Sequence, residues 1–229
     1  MHTSQTYLAA LAELFYPERC VGCGRRASDV LCRACFDALP YVGSPFCGRC
    51  GLPTAFATPV CQECKNVAFG FQSAKAPLKY DGVGKKIVHA LKYRGYKRVV
   101  DRLAVPLMLQ ITDDASFDAV VPVPLHRSRL RKRGFNQAEL LARGVAEKMK
   151  APVSDTLEVV RSTRDQVELT AAQRRANVQG AYTPKEPLRG RILLVDDVFT
   201  TGATMSACAG TLVRAGASEV HAISLCRTV

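Results

Sequence analysis

The 229-residue chain has no tryptophan, only 4 methionines and 4 histidines, and aromatics make up 7% of it. So few aromatics leave little platform for stacked bases, and composition alone signals single-strand nucleic-acid binding only weakly. No apolar run approaches the length of a membrane span. The GxxxxGK[ST] pattern of a Walker-type ATPase is also missing. The apolar segment at residues 7–16 contains Glu13 and has no Lys or Arg before it. It reads as a short amphipathic helix and not as a signal peptide, which predicts a cytoplasmic protein. The chain is 48% hydrophobic and 23% charged, an ordinary globular composition long enough to bury a core.

The net charge of +12 is unevenly spread. Residues 1–70 hold six Lys/Arg and five Asp/Glu, leaving 26 and 15 to the rest. A field of that sign suits a pyrophosphate and a nucleic-acid backbone equally well.

Cysteine dominates the first third. Cys20 with Cys23, Cys32 with Cys35, Cys47 with Cys50 and Cys61 with Cys64 make four CxxC pairs. One such pair is weak evidence, because redox motifs share it; four in series point to thiolate zinc sites. This segment has few large apolar residues, so metal is expected to supply much of its stability. Consecutive pairing gives two structural zinc sites, Cys20/Cys23/Cys32/Cys35 and Cys47/Cys50/Cys61/Cys64. Interleaved pairing is the alternative. A disulfide framework conflicts with the expected cytosolic location. Cys208 and Cys226 stand apart in apolar segments and read as core.

After a linker near residues 67–73, the pattern alternates. A strand at 76–80 precedes helices at 84–94 and 97–110, the second burying Val99, Val100, Leu103 and Leu107 despite Pro106. Strand 118–123, helix 137–149 and strand 156–160 follow. The polar stretch 161–179, with Arg164, Gln166, Arg174, Arg175 and Asn177, is long enough to be a lid, although residues 170–177 also suit a short helix. Strand 192–198, helix 205–215 and strand 219–225 complete the order. The expected fold is α/β, a mainly parallel sheet with a small N-terminal zinc-ribbon domain. The expected boundaries are 1–16 for the N-terminal helix, 17–70 for the double ribbon and 71–229 for the sheet domain.

Residues 192–204, ILLVDDVFTTGAT, carry the strongest functional signal. An apolar run without alternation is a strand buried on both faces, which puts Asp196 and Asp197 at the carboxyl end, where open parallel sheets bind ligands. The turn through Thr200, Thr201, Gly202, Ala203 and Thr204 then offers backbone N–H groups, hydroxyls and a helix N-terminus to a phosphate. Carboxylates suit a ribose diol and its magnesium. Together they imply a ribose 5-phosphate. A receiver domain also opens on a strand ending in Asp-Asp, but only 32 residues follow Asp197 here.

These thirteen residues resemble the signature of type I phosphoribosyltransferases, which recognise 5-phosphoribosyl 1-pyrophosphate (PRPP). The resemblance implies that Asp196 and Asp197 hold the ribose hydroxyls and that residues 200–204 wrap the 5'-phosphate. A second basic element lies on the loop after strand 118–123, where Arg127, Arg129, Arg131, Lys132 and Arg133 reach the same sheet edge and suit the pyrophosphate of the same ligand. Arg133, at the start of the next helix, is the expected anchor. No recognisable hood for a purine or pyrimidine accompanies them.

The combination resembles the ComF family, a double zinc ribbon fused to a phosphoribosyltransferase-type domain. Matching features are the paired CxxC units with Cys50-Gly-Leu-Pro53, Leu91-Lys-Tyr93, Pro122-Val-Pro-Leu125, Arg133-Gly-Phe-Asn-Gln137, Arg174 with Asn177-Val178, residues 192–204, and Cys226-Arg227. The resemblance implies a role in natural competence and the uptake of transforming DNA, with competence proteins as partners, but no established reaction. Two functions are consistent with these residues. One is a PRPP-dependent, magnesium-assisted phosphoribosyltransferase; the other is a non-catalytic, PRPP-responsive module that binds single-stranded DNA or a protein.

Overall fold

The computed structural model describes residues 19–94, 97–112, 116–161 and 171–229. The expected N-terminal helix, together with Arg164 and Gln166 of the polar stretch, lies outside them.

The apolar run at the heart of the signature forms the long strand β6 (Gly190–Phe199). It lies between β7 (Ala217–Arg227) and β3 (Ala119–Pro122), and both neighbours run parallel to it. Two short strands, β1 (Ser73–Lys75) and β2 (Leu78–Lys79), pair with successive parts of β7, also in parallel. Alternation along β6 explains why its sequence does not alternate. Leu193 and Val195 enter one apolar cluster, Ile192 and Leu194 the other, and helices cover both.

One face is covered by α3 (Gly82–Arg94) and α7 (Gln137–Met149), through Ile87, Val88, Leu91, Leu141 and Val145. Here α1 (Arg33–Asp37) and α2 (Gln62–Lys65) belong to the ribbon. The expected single helix at 97–110 is three pieces: α4 (Lys97–Val99), a π turn at Val100–Ala104, and α5 (Val105–Leu109). Pro106 lacks an N–H and its ring crowds the preceding turn, and the wider π turn just before it absorbs that clash. The expected stripe of Val99, Val100, Leu103 and Leu107 is buried. The other face is covered by α9 (Ala203–Arg214), through Met205, Cys208, Ala209 and Leu212.

Two expectations need correction. Strand β4 (Leu157–Val159) is not part of the parallel sheet; it pairs antiparallel with β5 (Tyr182–Pro184) in a separate two-stranded ribbon. Only Leu157 of the three is buried, too little apolar surface for a two-faced central strand. The basic connection at 127–133 is not a loop but a short helix, α6 (Arg127–Arg133). His126 Nδ1 accepts from Ser128 N at 3.2 Å to start it, and Gly134, left-handed at φ 84°, ends it. In the polar stretch, α8 (Ala171–Val178) realises the short-helix alternative.

The cysteine-rich segment does not stand off from the sheet. Cys20, Val30 and Leu31 join the cluster beneath α3, and Cys47, Cys50, Cys61 and Cys64 join the cluster beneath α9. Phe71, from the expected linker, is buried in the latter. Cys208 and Cys226 are fully buried, as core residues should be.

Candidate functional site

Parallel pairing brings the chemistry to one edge. Pro122 lies opposite Val195, and Val123 N donates to Val195 O at 2.9 Å, so β3 and β6 end on the same side. β6 runs past the two acids to Phe199, with Asp196 opposite Ser224 and Phe199 opposite Arg227. Asp196 and Asp197 therefore sit within the carboxyl-terminal part of the strand and not beyond it.

Asp197 is 4% exposed, and its Oδ2 has no hydrogen bond of good geometry among the described residues. What it has is the Lys92 ammonium at 2.9 Å. Burial pulls the Lys92 pKa down, but the charge of Asp197, the bond to it and the charge of Asp196 outweigh this, leaving it above the ordinary lysine value. Asp196 is packed on most sides, with part of its surface open to solvent. Its carboxyl is held well above the usual range by burial and then by the charge of Asp197, against the pull of the Asp197 N–H and Lys92. Asp196 Oδ1 accepts from Asp197 N at 2.8 Å.

Sequence reading did not single out Lys92 as functional, although a signal was present. Val88 belongs to the buried stripe of α3, and Lys92 is four residues on, a cation on the apolar face. Tyr182 was missed too. This half-buried tyrosine is hydrogen-bonded to the Thr204 side chain, and its pKa is raised by burial and by the nearby Cys208 and Asp196. Only the pairing of β5 with β4 carries it there, which no local pattern announces.

The turn at Thr200, Thr201, Gly202, Ala203 and Thr204 heads α9, whose N-cap, Gly202, has no side chain to cap it. Gly202 is left-handed at φ 73°, and a Cβ there would meet the Phe199 ring at 2.6 Å. Both conditions demand glycine. Thr201 Oγ1 accepts from Ala203 N at 3.4 Å. A cleft of about 460 Å³ runs along the outer side of α9, but it shares only Thr201, Ala203 and Tyr182 with this site and does not open on the carboxylates.

Helix α6 divides the basic residues. Arg129 and Arg133, four apart, are half-buried, while Arg127, Arg131 and Lys132 are exposed. The charge of Arg129 is near enough to pull the Tyr182 pKa down against the effect of burial. Arg133 Nη1 donates to Gln137 Oε1, and Asn136, the cap of α7, donates from Nδ2 to Val123 O at 3.0 Å. Arg133 is thus fixed by its own helix hairpin. The side chains of Arg174 and Arg175 lie outside the described residues.

The eight ribbon thiols converge in consecutive pairs, Cys20/Cys23/Cys32/Cys35 and Cys47/Cys50/Cys61/Cys64, with the sulfurs of each set within 4.8 Å of one another. A zinc tetrahedron with Zn–S about 2.3 Å has S···S edges of roughly 3.8 Å. The sulfurs of Cys23 and Cys32, and of Cys50 and Cys61, are 3.8 Å apart, and those of Cys61 and Cys64 are 3.6 Å apart. Both donor sets fit zinc.

Two four-cysteine knuckles packed on a parallel sheet with an acidic strand end and a glycine-cornered turn define a zinc-ribbon α/β protein. Residues 11–65 match the model of the double zinc ribbon domain. DNA utilization protein YhgH of Salmonella typhimurium is 33% identical over 207 residues, 87% of this chain and 91% of that one. Competence protein F of Haemophilus influenzae is 27% identical over 93% of this chain and 98% of its own length, and competence protein ComFC of Bacillus subtilis 24% over 89% and 86%. The chain belongs to the ComF family. Among solved structures, the glutamine PRPP amidotransferase of B. subtilis is 23% identical with a TM-score of 0.37, over 59% of this chain and 30% of that enzyme. That overlap spans under a third of the enzyme and carries no functional argument.

Proposed function

We propose that the chain binds PRPP with magnesium at the β6 edge and acts in DNA utilisation, the role that the names of its relatives give to them. The observation that supports this best is the state of the acids. Asp197 is buried against the Lys92 ammonium, and beside it burial and the charge of Asp197 hold the Asp196 carboxyl above its usual range. Such an arrangement is costly to keep empty and is relieved by hydroxyl donors and a divalent cation. In this reading the turn at 200–204 and the start of α9 hold the 5'-phosphate through backbone N–H groups. Asp196 and Asp197 accept the ribose hydroxyls and carry the charge that magnesium needs, while the Lys92 ammonium pairs with Asp197. Arg129 and Arg133 face the pyrophosphate. Departure of pyrophosphate from the sugar would then need little covalent help, because positioning and cationic stabilisation carry such a step.

A second reading has its own observation. Arg127, Arg131 and Lys132 on α6 are exposed, unlike the half-buried Arg129 and Arg133, which suits a single-stranded DNA backbone and makes PRPP a signal instead of a donor. Incubating the protein with PRPP and magnesium, alone and with nucleobases or single-stranded DNA, separates the two. Pyrophosphate release supports the transferase. PRPP binding without release, together with altered DNA affinity, supports the module.

A further inference from the structure

The second cysteine knuckle and the phosphate-binding turn are distant in sequence yet share a wall. Arg227, 3% exposed near the end of β7, donates from Nη1 to the carbonyl oxygen of Cys50. Its guanidinium lies 5.3 Å from the centroid of the Phe199 ring, the residue that leads into the turn. Thr228, next along, donates from its N to Phe199 O at 2.9 Å and from Oγ1 to Thr200 O at 3.3 Å. A second path starts at Arg49, which lies between Cys47 and Cys50 and donates from Nη2 to Phe69 O at 3.0 Å. Phe69 stacks on Phe71 with centroids 4.7 Å apart, and Phe71 meets Phe199 edge-on at 6.1 Å. Gly202 sits where both paths end, since a Cβ there would lie 2.6 Å from Phe199 and 3.0 Å from Phe69.

The knuckle itself is pressed onto the sheet. Ala74 N donates to Arg49 O at 2.8 Å, and a Cβ on Gly51 would meet Ala74 O at 2.7 Å. Its backbone can hold this position only while the Cys47 to Cys50 turn keeps its shape. A metal held by four thiolates fixes that turn, because so small a segment has little burial of its own. A buried guanidinium, for its part, needs a fixed acceptor.

We infer that Arg227 is a positioning residue that couples the metal-loaded Cys47/Cys50/Cys61/Cys64 knuckle to the turn at 200–204, so that metal in this knuckle sets the affinity of that turn for a ribose 5-phosphate group. The ligand half rests on the PRPP reading above; the mechanical half does not. Coupling between two sites is reciprocal, so a ligand on the turn must also protect the knuckle.

Hydrogen exchange read by peptide tests both halves. In the zinc-loaded protein without ligand, Arg227→Gln should keep its zinc content but exchange faster at residues 199–205, by about five- to tenfold. Extracting zinc from the wild type with a chelator should loosen the same peptide, an arm that needs no variant to fold. Adding PRPP with magnesium should slow exchange at residues 47–64 in the wild type and not in Arg227→Gln, whose PRPP dissociation constant should rise about tenfold. If residues 199–205 exchange alike in the wild type, the variant and the zinc-extracted protein, the coupling is overturned. If the turn loosens as expected but PRPP binds none of these samples, the coupling stands and the PRPP reading falls.

Discussion

Lys92 and Asp197 form the pair on which the site turns. Removing the cation strands a carboxylate that is 6% exposed in its side chain, while Lys92 itself is 25% exposed and partly screened. Lys92→Ala should therefore destabilise the protein by about 3 kcal/mol, the low end for opening a buried pair. Lys92→Met combined with Asp197→Asn should restore most of that loss, and urea unfolding of the three proteins reads both effects. Asp196 adds a pH dependence. Its pKa is raised in the folded state, so between the ordinary carboxylate value and the raised one the folded form binds more protons than the unfolded form. Its contribution to stability is full below the ordinary value and is lost as pH rises through the raised one. Asp196→Asn should thus raise the melting temperature at neutral pH and change it little near pH 4. Thermal melts at the two pH values that show equal shifts would contradict this.

At the scale of elements, the turn between β6 and α9 and the helix α6 carry separate predictions. Gly202→Ala meets both left-handed strain and the Phe199 ring. It should cost about 2–3 kcal/mol of stability and weaken phosphate binding, as unfolding and titration curves would show. Changing Arg127, Arg131 and Lys132 together to Ala should lower the salt slope of any single-stranded DNA binding by about one per lost phosphate contact. Binding indifferent to salt and to these changes would leave α6 to the pyrophosphate alone. The two elements also differ in how far sequence revealed them. The run at 192–195 with its acids and glycine turn was legible because a doubly buried strand has no alternation and Gly202 answers a local backbone demand. Helix α6 was read as a loop because five cations mask any apolar period, although His126 and Gly134 at its ends were usable cap signals. Strand 156–160 was legible as a strand but not as a partner of β5, since periodicity fixes an element and not its neighbour.

For the whole molecule, the ribbon is more than an appendage, because Cys20, Cys47, Cys50, Cys61 and Cys64 lie in the same two apolar clusters as the sheet. The protein should contain about two zinc per chain. Cys50→Ser should lose one of them and also lower the melting temperature of the entire fold, and metal analysis beside calorimetry checks both. CxxC spacing favoured consecutive pairing of the thiols but left interleaving open, and the convergence of the sulfurs selects the consecutive sets. Tyr182 and Arg227 were not readable as site residues, because their places depend on strand pairing, whereas Lys92 was signalled only by its place on the apolar face of α3. The account as a whole rests on a ribose-phosphate site at the end of β6. Calorimetric titration of PRPP with magnesium into the wild type and into Asp196→Asn/Asp197→Asn tests it most directly. The wild type should bind one PRPP, and the double variant should melt at the same or a higher temperature yet give no binding heat. A folded double variant that binds PRPP as tightly as the wild type would contradict the account.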